Sequence, residues 1–134
     1  MSKIAEIEGI GPAYAEKLGG IGISTVEQLL EKGATPAGRK EIVAAAGISD
    51  KLILRWVNMA DLFRIKGVGE EYADLLEAAG VDTVPELAQR NAENLATKMA
   101  EVNESKKLVR AVPSGTVVEK WVTEAKELGR KITY

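Results

Sequence analysis

Apolar residues recur along the chain at helical spacing, in short runs punctuated by glycine. Tyr14, Ala15 and Leu18 fall on one face of a helix, and Tyr72, Ala73 and Leu76 repeat the pattern. Thr35-Pro36 reads as an N-cap followed by proline at the first helical position, and Gly47 supplies the stop. Ser49 opens DKLILRWVNMADLF, a helix expected to run to about Phe63. Asn91 or Asn94 opens LATKMAEVNESKKLVRAV, as one helix or two, until Pro113-Ser114-Gly115 interrupts it. Thr116 and Glu119 have the spacing of a capping box for a last helix that Gly129 ends.

The pattern is written twice. IEGIGPAYAEKLGGIGISTVEQLL begins at Ile7, and IKGVGEEYADLLEAAGVDTVPELA begins at Ile65, an offset of 58. Ten of the 24 aligned positions are identical, among them three glycines, a tyrosine and a threonine. An internal repeat of this kind signals a duplicated structural unit. Trp56 and Trp121 hold similar places in the closing helices, so the second copy has gained seven residues. The copies meet near Asp61–Arg64 without a Gly/Pro/Ser linker. Two packed halves are expected, residues 1–62 and 63–134.

Each copy starts with a glycine–aliphatic–glycine step: Gly9-Ile10-Gly11 and Gly67-Val68-Gly69. Glycines there permit a tight turn with positive φ, and the aliphatic residue pins the turn to the core. The second glycine starts a helix whose first amides have no partner within it. Such amides, at the positive end of the helix dipole, can hold an anion. On this reading Gly11→Val or Gly69→Val strains a special backbone position. Gly22-Ile23 and Gly80-Val81 form a second step, each ahead of a cap: Ser24 with Glu27, and Asp82 or Thr83.

Composition narrows the chemistry. The 134 residues are 46% hydrophobic but only 4% aromatic, which favours closely packed helices over a β-sandwich. With no cysteine there is neither disulfide nor thiolate metal site, and with no histidine the commonest general base is missing. Gly9-Ile10-Gly11 lacks the third glycine and preceding strand of a dinucleotide fingerprint. No catalytic residue, metal ligand, cofactor or small-molecule substrate is indicated. MSKIAEIEG has no apolar run long enough for a secretory signal, and no stretch approaches a membrane span. A soluble, cytoplasmic, non-enzymatic protein is expected. Net charge is −2, unevenly spread, with the excess of Lys and Arg over Asp and Glu lying after residue 97.

The strings IEGIGPAYAEKLGGIG and IKGVGEEYADLLEAAG resemble helix-hairpin-helix motifs. With GATPAGRKEI, VNESKKLVRAVPS and KWVTEAKELG, the whole chain resembles a bacterial family of unknown function built from two such units. The resemblance implies an all-α, duplicated helix-hairpin-helix domain of about nine short helices. For helix-hairpin-helix proteins at large it implies sequence-independent binding of the DNA backbone through hairpin amides. For this family it implies no known biochemical role.

Two functions are therefore open. The first is weak, sequence-independent nucleic-acid binding through Gly9, Ile10, Gly11 and Lys17, and through Lys66, Gly67, Val68 and Gly69. A basic face of Lys98, Lys106, Lys107 and Arg110 would assist, 106 and 110 sharing one side of a helix. Glu70 and Glu71 stand where a phosphate would approach the second hairpin, and Pro12-Ala13 leaves the first neutral. The second is a protein-interaction or scaffolding module that keeps the hairpins and has lost phosphate binding. Tyr14 and Tyr72 read as packing residues, and Trp56 and Trp121 as covers of the core.

Overall fold

The helical periodicity is realised throughout. The computed structural model describes residues 3–134. Met1 and Ser2, the start of the stretch examined for a signal, lie outside the described residues. The fold is all-α, with eight α-helices, one 3-10 turn at Ile4–Glu6 and no strand among the described residues. The chain divides into two units. One extends to Asp61 and takes in Lys131–Tyr134; the other is Leu62–Arg130.

The first unit holds α1 (Pro12–Gly19), α2 (Val26–Gly33), α3 (Pro36–Ala46) and α4 (Asp50–Leu62), whose last residue begins the second unit. Thr35 caps α3 by accepting from Gly38 N at 3.1 Å, Pro36 fills the first position, and Gly47 ends the helix at φ 68°. For α2 the cap is Thr25 with Gln28, one residue beyond the expected Ser24 and Glu27. The Thr25 hydroxyl accepts from Gln28 N while Gln28 Oε1 accepts from Thr25 N, so both bonds of the box are made. Lys32 of α2 pairs with Glu41 of α3 on the surface, and its hydrogen bond, then its charge, hold the Glu41 carboxyl below its usual range. Ile7, Leu18, Leu29, Ile42, Ile53, Trp56 and Met59 form the interior, all under 2% exposed.

The last four residues return to this unit. Thr133 N donates to Ala34 O at 2.8 Å, Arg39 donates to Thr133 O, Lys131 pairs with Glu31, and Tyr134 Oη bonds Asn58. The guanidinium of Arg39 lies 5.6 Å from the centre of the Tyr134 ring. Residues 131–134 thus group with the first unit, whereas the sequence alone places them in a half running from 63 to 134.

The second unit holds α5 (Glu70–Ala78), α6 (Val84–Ala88), α7 (Ala92–Lys106) and α8 (Gly115–Leu128). Helix α8 packs on both α6 and α7. Ile65, Leu75, Leu76 and Leu87 fill the centre. Thr83 precedes α6 and Asn91 caps α7. The capping box expected at Thr116 and Glu119 is not used: Ser114 accepts from Val117 N, and α8 begins two residues earlier. Gly129 stops α8 at φ 70°. Helix α7 is a single helix that ends at Lys106, because Lys107 turns left-handed at φ 53°. The chain after it is fastened by Asn103, whose side-chain amide bonds both the N–H and the C=O of Val109.

Candidate functional site

The head of each repeat is built alike. Ile10 N donates to Ile7 O at 3.1 Å, and Val68 N to Ile65 O at 3.1 Å. The bend lies at Gly9 (φ 95°) and Gly67 (φ 90°), in backbone that L side chains rarely adopt. Ile10 and Val68 point inward, 4% and 5% exposed. The following helices open with Ala15 N to Gly11 O and Ala73 N to Gly69 O, both 2.9 Å. At the second step Ile23 N meets Leu18 O and Val81 N meets Leu76 O, with Gly22 and Gly80 again at positive φ. Each bond recurs at the sequence offset of 58.

A tryptophan from the closing helix supports each bend. Trp56 is fully buried, and its Nε1 would lie 3.3 Å from a Cβ on Gly9. Trp121 Nε1 stands 3.6 Å from the same point on Gly67. Tyr14 meets Trp56 edge-on with ring centres 5.0 Å apart, and Tyr72 meets Trp121 at 5.3 Å. Both tyrosines are packing residues. A cation precedes each tryptophan, Arg55 and Lys120, and Arg55 Nη1 comes within 3.2 Å of the Gly9 Cβ position. The alignment of Trp56 with Trp121 carries this pairing in the sequence.

The strain expected at Gly11 and Gly69 is not there. Their φ values are −80° and −114°, which any residue adopts, and a Cβ on either would meet nothing within 4 Å. The constraint belongs to the first glycine of each step. Gly9→Ala should cost about 1–2 kcal/mol from its φ, added to the tight Arg55 and Trp56 contacts. Gly11→Ala should cost under about 1 kcal/mol, the ordinary preference for glycine over alanine at an N-cap. Urea unfolding of both variants checks the order; a larger loss at Gly11 would contradict it.

Backbone strain does not require glycine at 11, where it serves as the N-cap of α1. What it leaves is open space over the first turn of α1, where Ala15 is the first residue to donate within the helix. The amides of Gly11, Ala13 and Tyr14 are thus outside the helical ladder, and Pro12 has none to offer. At α5 the same turn carries Glu70 and Glu71. Lys66 N there donates to both oxygens of Glu124 in α8, at 3.1 and 3.3 Å. No pattern in the sequence links these two residues, 58 positions apart.

The remaining candidates are scattered. Lys17 lies in the last turn of α1, its ammonium 5.9 Å from the Tyr14 ring centre. Lys98 is exposed on α7, Lys106 ends it, and Lys107 and Arg110 follow in irregular chain. The expectation that Lys106 and Arg110 share a helix face is therefore corrected, since the left-handed Lys107 removes the i, i+4 relation. Tyr72 Oη donates to Ala111 O at 3.0 Å, which ties the Arg110 segment to α5. Among the described residues no group of three or more acidic side chains is placed to hold a metal ion, and no helix is long and apolar enough to cross a membrane.

Residues 8–128 match the model of a domain of unknown function, DUF4332. The chain belongs to that family. No curated protein and no solved structure matches it. In this DUF4332 chain the matched span begins at Glu8, one residue before the first glycine step, and ends with α8, so it takes in both glycine steps.

Proposed function

We propose that this DUF4332 chain is a non-catalytic, duplicated helix-hairpin-helix module that binds the nucleic-acid backbone without regard to sequence, mainly through its first hairpin. The observation that carries this is Gly11: a glycine required by neither φ nor packing, exposed at the start of a helix with open space above it. A phosphate oxygen approaching there meets the amides of Gly11, Ala13 and Tyr14 and the positive end of α1. Few cations lie close by, so affinity is weak. Lys98, Lys106, Lys107 and Arg110 add attraction as separate charges, not as one face.

A labelled duplex titrated by fluorescence anisotropy tests the reading. Binding is expected in the micromolar range or weaker at about 50 mM salt, with a slope of log K against log salt of about −2 to −3, as for two or three phosphates. No saturable binding to duplex or single strands would end it.

A second reading has its own support. A cleft of about 530 Å³ between α3 and α4 is lined by Pro36, Val43 and Leu54, with Arg39, Lys40 and Lys51 at its edge and Asp50 as the one carboxylate. An apolar floor under three cations suits an acidic amphipathic segment of a partner protein. On the hairpin reading, Lys40→Glu with Lys51→Glu weakens duplex binding only as far as their change in charge does, since neither residue belongs to the first hairpin. Loss of binding to an acidic amphipathic peptide, with no duplex binding at all, would favour the second reading instead.

A further inference from the structure

We infer that Glu124 closes the second hairpin to phosphate, so that the module presents one backbone-binding hairpin instead of two. The inference rests on the hairpin reading above and says which copy works. Lys66 N, at the entry to the Gly67 bend, is engaged by both oxygens of the Glu124 carboxylate. That carboxylate sits in a cleft of about 340 Å³ lined also by Gly67, Tyr72, Lys120 and Trp121. An anion is therefore already seated beside this hairpin, supplied by the chain. A phosphate would meet its charge in addition to those of Glu70 and Glu71.

The first copy has no counterpart. Counting from the paired tryptophans, Glu124 corresponds to Met59, which is fully buried and uncharged. The helix after the first bend opens with Pro12-Ala13 where the second has Glu70-Glu71. Lys66 and Lys120, which would otherwise favour an anion at the second hairpin, share their cleft with Glu124. The two hairpins thus have the same backbone and differ in charge: the second carries Glu70, Glu71 and Glu124, and the first has Glu8 alone at its entry.

The test uses the full chain. Glu124→Gln keeps an oxygen to accept from Lys66 N and removes the charge. Glu119→Gln, exposed on the same helix and outside the cleft, makes the same change in net charge. Titrated with a duplex at about 50 mM salt, Glu124→Gln should bind about threefold tighter than wild type and Glu119→Gln less than about 1.5-fold tighter. The step is modest because Glu70 and Glu71 remain. Adding Glu70→Gln and Glu71→Gln to Glu124→Gln should make the salt slope steeper by about one phosphate. If wild type binds and Glu124→Gln gains no more than Glu119→Gln, this inference falls and the function stands. If only Glu124→Gln binds, the inference stands and the native function falls. If no variant binds, both fall.

Discussion

Gly38→Ala is expected to cost the first unit about 3 kcal/mol or more, the largest effect of any single methyl group in this chain. A Cβ at residue 38 would lie 1.9 Å from the carbonyl oxygen of Lys32 and 3.2 Å from Thr35 Oγ1. The first obstacle is backbone, so no rotamer change relieves it. Helix α3 would have to move off the end of α2, and that movement pulls Gly38 N from the Thr35 hydroxyl that caps the helix. Gly33, on the α2 side, faces a similar limit: its Cβ would come 2.4 Å from a methyl of Val57, a side chain that can move only by disturbing α4. For a unit of this size 3 kcal/mol lowers Tm by more than about 10 °C. Thermal unfolding followed by circular dichroism measures it. A change under about 3 °C would mean that α2 and α3 separate freely.

Trp56 provides the second large effect. Its side chain is fully buried beneath the Gly9 bend and holds Tyr14 edge-on. Trp56→Ala removes the floor of the Gly9 bend and should cost about 3–5 kcal/mol. Trp56→Phe should cost much less, about 1–1.5 kcal/mol, for a physical reason beyond volume. The indole Nε1 is buried without a hydrogen-bond partner, so replacing it with a carbon edge removes a desolvated donor and breaks no bond. Equal losses for Phe and Ala in urea unfolding would show that Nε1 has a partner that matters to the fold.

The helix ends were legible in the sequence because turn chemistry is local. Thr35-Pro36, Gly47, Asn91 and Gly129 carry their instructions within a few residues, and each acts at or beside the place expected. Where two candidates stood side by side, local rules erred by a register. Thr25 with Gln28 completes a box as well as Ser24 with Glu27 would, and Ser114 precedes Thr116. The glycine steps were misread for a related reason. Two glycines flank one aliphatic residue, and only φ distinguishes the one that bends from the one that is left uncovered.

What stayed hidden depends on partners distant in sequence or set by packing. Gly33 is silent until Val57 is brought against it. Glu124 reads as one more solvated carboxylate until α8 places it at Lys66. The final four residues look like a tail to the second repeat, yet their bonds go to Glu31, Ala34, Arg39 and Asn58. Periodicity shows which face of a helix is buried and says nothing of what covers it.

The most direct test is an amide NMR titration of the ¹⁵N-labelled chain with a short duplex at low salt. The account predicts shifts concentrated at Gly9, Ile10, Gly11, Ala13 and Tyr14, with smaller ones at Gly67–Tyr72. Shifts confined to the α3–α4 cleft, or equal shifts at both hairpins, would contradict it.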